Sequence, residues 1–421
     1  MTSDDDHVRA QYEAYPYPER KPADEAKRLV TGSPSHVLEI NHYVFAGRRD
    51  FRRPFLALVA GGGTGDGAIM LAQQLADAGK GGEVLYTDLS RAARAIAEAR
   101  AEARRLTNIR FETLAIEDLA GAGLGPFDYV DCCGVLHHLA DPVAGLKALA
   151  GLLSPNGGMG LMVYGALGRA GVYPMQALLR MLAGDDGTAA KIAFARRLID
   201  HTPATNALKR NPFVGDHLSG GDAGLYDLLL HGRDHAYQVP EIADLATAAG
   251  LRITAFIEPA RYDPASYLKD PVLLERLNDL DWLGRAAAAE LIAGNMAKHV
   301  FYAVKADNPA TTVAQPDHAN AVPHLRLEPG EELASMMKPG AALSATIDGV
   351  GLRFPLPPLA QAMVERIDGT RSLADIHASL LGANPDLERE AFMDQFARLH
   401  AALNGLGKLY LSVPNREGRT S

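Results

Sequence analysis

The sequence predicts an α/β protein: a seven-stranded Rossmann-like sheet with two helical insertions and a small C-terminal α+β domain. Three observations lead there. From Phe55 to Tyr164 short apolar runs alternate with helical stretches of roughly 10–15 residues, the rhythm of βαβ units around a parallel sheet. That rhythm stops after Tyr164 and resumes at Tyr237, so intervening segments are inserted into one sheet rather than appended to it. With 421 residues, 47% hydrophobic and 22% charged, the chain has the length and composition for a sizeable core and at least one further unit.

Residues 1–50 form an N-terminal arm or lid. The stretch Tyr12-Glu-Ala-Tyr15-Pro16-Tyr17-Pro18 is expected to be non-helical, because a residue preceding proline is pushed to extended backbone. From Pro54 the pattern changes: FLALVAGGGTGDG is a buried strand running into glycines, and AIMLAQQLADAG continues with helical period. EVLYTDLS is a second strand, 90–105 a helix, NIRFETLAI a third strand and FDYVDCCGVL a fourth. DPVAGLKALAGLLSPNG reads as a helix closed by proline and glycine, and GMGLMVYG as strand five. The first insertion, 165–236, leaves from the end of strand five. YQVPEIADLATAAG and LRITAFIEP restore helix and strand six, the second insertion covers 260–297, and HVFYAVKA is strand seven. The sheet domain is thus 51–164 plus 237–306. Both insertions leave from the edge where an open α/β sheet takes its ligand, so each is expected to cover a substrate or to form a homodimer surface. Residues 307–324, polar with three prolines, read as a linker. In 325–421 a hairpin turns at Asp348-Gly349, helices follow near 358–366, 372–381 and 388–405, and KLYLSV is a last strand. This order suggests a winged-helix-like domain.

The charge balance excludes other classes. A net charge of −9 argues against a nucleic-acid binder. No apolar run approaches the about 18 residues of a membrane span, and the start MTSDDDHVRA is acidic, so neither membrane insertion nor a secretory signal is expected. The two cysteines, Cys132 and Cys133, are adjacent and unsuited to a structural disulfide; a cytoplasmic protein is expected.

The chemistry sits first in Gly61-Gly-Gly63-Thr-Gly65, between a strand and a helix. Glycines there let the backbone approach a ligand, and the helix start offers free N–H groups to a carboxylate or phosphate. Gly63-x-Gly65-x-x-Ala68 also fits the dinucleotide fingerprint of a nucleotide-dependent oxidoreductase. Twenty-three residues after Gly65, Asp88 ends strand two, placed to accept both hydroxyls of a ribose; its alternative role is a helix N-cap beside Ser90. His137-His138 has no third ligand at a usual spacing, and no metal is expected. The helix with Arg91, Arg94, Arg100, Arg104 and Arg105, with Glu98 and Glu102 at pairing distance, reads as a solvated face.

Taken with Glu117-Asp118-Leu119 after strand three and GVLHHLADP after strand four, this pattern resembles the class I S-adenosylmethionine-dependent methyltransferases. The resemblance implies S-adenosyl-L-methionine as cofactor: Gly61, Gly63 and Gly65 along its methionine and ribose, Asp88 and Leu89 at the ribose, Ile116, Glu117 and Asp118 around the adenine, Cys133 and Gly134 beside the sulfonium. Two positions depart from the family: Val59 and Ala115 stand where acidic residues are common. YEAYPYPER, NHYVFAG and GLYDLLLHGRDHAYQVPEI are similar to a bacterial subgroup that includes lysine methyltransferases acting on outer-membrane proteins. This implies a protein or peptide substrate, with lysine favoured. The alternatives are a small-molecule or peptide natural-product methyltransferase and a non-catalytic regulatory protein that binds S-adenosylmethionine. The stretch Ile367-Asp-Gly-Thr-Arg-Ser-Leu-Ala-Asp-Ile376 resembles winged-helix modules that grip peptides. No catalytic residue is identified by sequence. The candidates for positioning an acceptor are Tyr12, Tyr15, Tyr226, His235 and Tyr237, with Asp216, His217, His231 and Asp234 beside them.

Overall fold

The computed structural model describes residues 9–10, 12–79, 81–182, 184, 186–337 and 342–413. In chain order the first part comprises α1 (Val37–Val44), β1 (Phe55–Ala60), α2 (Asp66–Ala78), β2 (Gly82–Asp88), α3 (Arg91–Ala103), β3 (Ile109–Thr113), α4 (Ile116–Leu119), β4 (Phe127–Cys133), α5 (Pro142–Gly151) and β5 (Leu153–Tyr164). The first insertion holds α6 (Val172–Leu182), α7 (Thr188–His201), α8 (Ala207–Arg210), α9 (Asp216–Ser219) and α10 (Gly221–Leu229). Next come α11 (Val239–Ala248), β6 (Leu251–Phe256), α12 (Pro271–Leu277), α13 (Trp282–Ala293) and β7 (Lys298–Lys305).

The seven strands lie in the order β3-β2-β1-β4-β5-β7-β6. β1 to β5 are parallel, whereas β7 runs antiparallel between β5 and β6. That reversed strand separates this sheet from the 3-2-1-4-5-6 dinucleotide-binding order. Alternation along β1 sends Leu58 and Ala60 to one face and Phe55, Ala57 and Val59 to the other, and each face has its own apolar layer. The first insertion buries a separate cluster around Val172, Met175, Ile192, Leu225 and Leu228.

Local features depart from the sequence reading. α5 stops at Gly151 and β5 begins at Leu153, so the segment expected to close the helix is strand. Pro155 cannot continue a helix, and its neighbourhood pairs with β4 through an irregular register between Phe127 and Tyr129. In the arm, residues 12–14 are helical and Pro22–Ala26 is a 3-10 turn. α3 is not wholly a solvated face. Arg94 pairs with Glu98 at 2.8 Å, but the buried Arg100 pairs with Glu25 at 2.6 Å and Asp66 at 2.7 Å, and Arg104 also reaches Glu25. The arm supplies the carboxylate that makes this burial tolerable.

The C-terminal part comprises β8 (Val322–Leu325), α14 (Gly330–Ser335), β9 (Ala342–Ile347), β10 (Val350–Pro355), α15 (Ala360–Val364), α16 (Leu373–Leu380), α17 (Arg389–Gly405) and β11 (Leu409–Ser412). β8 begins inside the stretch expected to be a linker and pairs antiparallel with β11. Upstream of it the chain is pinned to α1 and the turn that follows it: Ala46 N–H donates to Thr312 C=O at 2.6 Å, and Ala314 N–H to His42 C=O at 2.7 Å. The β9–β10 hairpin turns at Asp348-Gly349, and Asp348 pairs with Arg261 of the second insertion. Helices α15 to α17 enclose Met363, Leu373, Ile376, Phe392 and Phe396. No helix among the described residues is long and apolar enough to cross a membrane.

Candidate active site

A cavity of about 610 Å³ lies over the carboxyl ends of β1, β2 and β4, roofed by the arm. Its floor is the turn after β1. Gly61 and Gly63 have φ of +68° and +52°, conformations that side chains rarely adopt, and a Cβ on Gly61 would run into Val135. The N–H groups of Gly61 and Gly62 donate to Thr87 C=O at 2.8 and 3.0 Å, tying the turn to β2. Gly61, Gly62, Gly63 and Gly67 line the cavity. Gly65 does not: it caps α2 and faces Ala97, so its small size serves helix packing.

Asp88 stands at the wall, 8% exposed. One oxygen accepts the Gly63 N–H and the other the Ser90 N–H, both at 2.8 Å. Burial pushes its carboxyl up, against the lowering effect of these hydrogen bonds. The helix cap is Ser90 itself, which accepts from Ala93 N–H at 3.1 Å, so Asp88 is not the N-cap. Leu89, Ile116, Glu117, Asp118, Cys133 and Gly134 all line the same cavity, and burial pushes the Cys133 thiol up.

The arm is fastened over this floor. Thr64 donates to Pro18 C=O at 2.7 Å, Arg20 pairs with Asp66 at 2.6 Å, and Glu13 accepts the first N–H groups of α3. At the far end Tyr12 and Tyr164 donate to the two oxygens of Asp227 at 3.2 and 2.9 Å. Asp227 is 4% exposed, and burial pushes its carboxyl up. His138 and His231 stack beside it with ring centres 3.8 Å apart. His138, Asp227 and His231 bring possible ligand atoms within 4.8 Å of one another. However, Arg233 N–H donates to His231 Nδ1 at 3.0 Å, so a neutral His231 carries its proton on Nε2 and has no lone pair there for a metal.

Of the five acceptor candidates, only Tyr12 lines the cavity. Tyr15 stacks on Tyr226 with centres 5.8 Å apart, fastening the arm to the first insertion. His235 and Tyr237 form an edge-on pair at 4.5 Å, and the Tyr237 backbone bonds to the end of β5. Asp234 is held by Arg169 at 2.9 Å, and Asp216 accepts from Tyr17 at 3.3 Å. Tyr15, Tyr226, His235 and Tyr237 thus contact one another rather than the cavity.

Sequence reasoning missed Tyr164, Asp227 and, above all, Asp131; of the pair His137-His138 singled out there, His138 lines the cavity. Asp131 lies on β4 opposite Val59, the position where an acidic residue was expected. It lines the cavity, is 3% exposed, accepts from Ser35, and has its carboxyl pushed up to about 6 by burial. An acid inside the buried run FDYVDCC was the available signal.

Comparisons with known proteins agree with this architecture. Residues 58–159 match the family model described as a methyltransferase domain. The structure of PKMT2 from Rickettsia typhi superposes with a TM-score of 0.61 at 16% identity, covering 90% of this chain and 75% of that one. An uncharacterised Synechococcus protein is 29% identical over 310 residues, 70% of each chain. The ubiquinone biosynthesis O-methyltransferase of Acinetobacter baylyi is 32% identical over 93 residues, 22% of this chain and 38% of that protein. Residues 58–159 thus carry a methyltransferase domain, a class whose methyl donor is S-adenosylmethionine. The residues present fit that cofactor. The cavity is within the about 300–1,000 Å³ of ligand sites, its glycine turn is free of side chains, and two buried carboxylates, Asp88 and Asp131, face it.

Proposed function

We propose that the protein methylates an amine on a protein side chain, lysine above others. The observation that carries this reading is Asp227: a buried carboxylate at the far end of the cofactor cavity, held by two phenols. No lysine or arginine among the described residues pairs with it. An ammonium group entering the cavity would supply the missing charge, with charge-assisted bonds stronger than those of a neutral hydroxyl. S-adenosylmethionine, when bound, supplies an electrophilic methyl on a positively charged sulfur.

The chain's own residues then hold and align. Asp88 would take the ribose hydroxyls, the Gly61–Gly63 backbone the methionine end, Ile116 to Asp118 the adenine, and Cys133 with Gly134 the sulfur. Asp131 would meet positive charge near the glycine turn. Tyr12 and Tyr164 orient Asp227, and the arm excludes water, so much of the rate enhancement would come from alignment. The C-terminal helices with the β8–β11 pair are, in this reading, a winged-helix-like module that grips the peptide around the acceptor. Tritiated-methyl labelling of size-resolved cell fractions tests the proposal. Label in protein, recovered as methyl-lysine after acid hydrolysis, is expected; label confined to small molecules overturns it.

A further inference from the structure

Next to Asp227, the backbone of a single residue, Arg233, contacts two stacked imidazoles with opposite consequences. The Arg233 N–H donates to His231 Nδ1 at 3.0 Å, while the Arg233 C=O sits 2.8 Å from His138 Nδ1. A backbone N–H only donates and a carbonyl only accepts. Neutral His231 therefore carries its proton on Nε2, and neutral His138 carries it on Nδ1. His138 is left with a lone pair on Nε2. The ring lines the cavity together with Cys133, Met162, Tyr164 and Asp227. His137 faces elsewhere, stacked on Tyr164 at 3.8 Å.

We infer that His138 is the base that takes the acceptor's proton, held in the required tautomer by the Arg233 carbonyl. This rests on the amine reading above. A lysine ammonium must lose a proton before its nitrogen can attack. In this scheme one N–H bond of the ammonium breaks and the proton goes to His138 Nε2. The freed pair forms the N–CH3 bond as the C–S bond breaks, its electrons remaining on sulfur, which leaves as a neutral thioether. The imidazolium returns its proton to solvent when product departs. The groups facing His138 suit a transient positive charge. Asp227 of α10 lies beside it, with Tyr12 of the arm and Tyr164 of β5 bonded to that carboxylate. The neighbouring His231 and His137 rings and the Arg233 side chain complete the surroundings. The tautomer is set by main chain rather than by a carboxylate, so Asp227 remains available to the ammonium.

The test uses the full chain labelled with 15N-histidine and bound to S-adenosylhomocysteine. Two-bond 1H–15N correlation reads each ring's tautomer, with His138→Gln and His231→Gln used to assign the two rings. Neutral His138 protonated on Nδ1 and neutral His231 protonated on Nε2 are expected; His138 protonated on Nε2 overturns the inference, the two stacked rings being assigned from their mutual NOEs where a variant does not fold. n-Butylammonium titrated into the same sample is expected to perturb the His138 ring, and Asp227→Asn to weaken that binding by about tenfold or more. An equal response to 1-butanol, or equal amine binding by the variant, also overturns it. Calorimetry of S-adenosylhomocysteine on the same samples keeps the two readings apart. Failure to bind removes the cofactor reading, whereas binding with the wrong tautomer removes only the role of His138.

Discussion

Glu39 and Asp227 are both carboxylates that water scarcely reaches and that receive two tyrosine hydroxyls, yet the two regions they anchor are built to different ends. Glu39, on α1, accepts from Tyr302 at 2.9 Å, Tyr410 at 3.0 Å and Ser33 at 2.6 Å, and it also pairs with Arg326 of the C-terminal part. Asp227 has Tyr12 and Tyr164 and, among the described residues, no lysine or arginine. The first site is balanced in charge and closes a seam. The second is held in shape but not neutralised, a state consistent with a ligand supplying the cation. Burial and hydroxyl donors are common to both; the charge balance separates structure from function.

The largest effect should come from breaking the balanced site. Arg326→Met leaves a fully buried carboxylate without its counter-ion and is expected to cost about 3–5 kcal/mol in urea denaturation. Asp227→Asn, by contrast, strands no lysine or arginine among the described residues and should change stability by no more than about 1 kcal/mol, while methyl transfer is lost. Equal destabilisation by both would erase the distinction. The same seam changes the expectation for removing 325–421. A separate winged-helix-like module, as the sequence suggests for that part, could be lost without touching the cofactor cavity. Here its Tyr410 and Arg326 serve Glu39, and Glu39 connects through Tyr302 and Ser35 to Asp131 at the cavity wall. The shortened chain is expected to lose S-adenosylhomocysteine binding along with its cooperative melting transition.

Asp131 sharpens the comparison through pH. Its carboxyl lies near 6 instead of 3.8 because burial favours the neutral acid. The folded state therefore holds this proton more tightly than the unfolded chain. The stability it contributes is fully present below about pH 4 and is lost as pH rises toward 6, about 3 kcal/mol in all. Asp131→Asn should remove that slope, read as the difference between variant and wild type in denaturation series from pH 4 to 7. A parallel pair of curves would rule out the assignment. A cationic ligand in the cavity should ionise the group, so binding near pH 6 is expected to release a proton, measurable by calorimetry in buffers of different ionisation enthalpy.

Asp88→Ala is a step smaller. Loss of charge-assisted bonds to ribose hydroxyls is expected to weaken S-adenosylhomocysteine binding by about 1–3 kcal/mol. The freed Gly63 N–H adds some loosening of the turn. An unchanged dissociation constant would take Asp88 out of the site.

Which of these residues could be read in advance follows from how local their settings are. The glycine turn and Asp88 were legible because strand, turn and helix are contiguous and the glycines act through their own backbone. Asp131 needed the register between β4 and β1, strands separated in sequence by two whole βα units. Arg100 looked solvent-facing on its own helix, and only the arm, 75 positions earlier, buries it against Glu25. Tyr164 and Asp227 are 63 positions apart, the first at the end of β5 and the second inside an insertion that carries no sheet rhythm. Side chains whose partner is distant in sequence gave no periodic signal, and the insertion's aromatics could not be divided into those that pack and those that face the cavity.

The smallest expected effect tests that division directly. Tyr15 and Tyr226 stack nearly parallel, with planes 10° apart, outside the cavity lining. Such a pair is worth about 0.5–1.5 kcal/mol beyond the area it buries, and it joins the arm to the insertion's own core. Tyr15→Leu retains most of the apolar contact and removes the ring. It should lower stability by about that amount while leaving S-adenosylhomocysteine affinity unchanged, because the arm keeps its fastenings at Glu13, Thr64 and Asp66. Tyr12→Phe, three residues earlier, should do the reverse. The ring and its packing stay, the hydrogen bond to Asp227 goes, and transfer falls with little change in folding. If Tyr15→Leu impaired transfer at unchanged stability, the stack would have to reach the acceptor, and the boundary drawn between packing and cavity aromatics would move to include it.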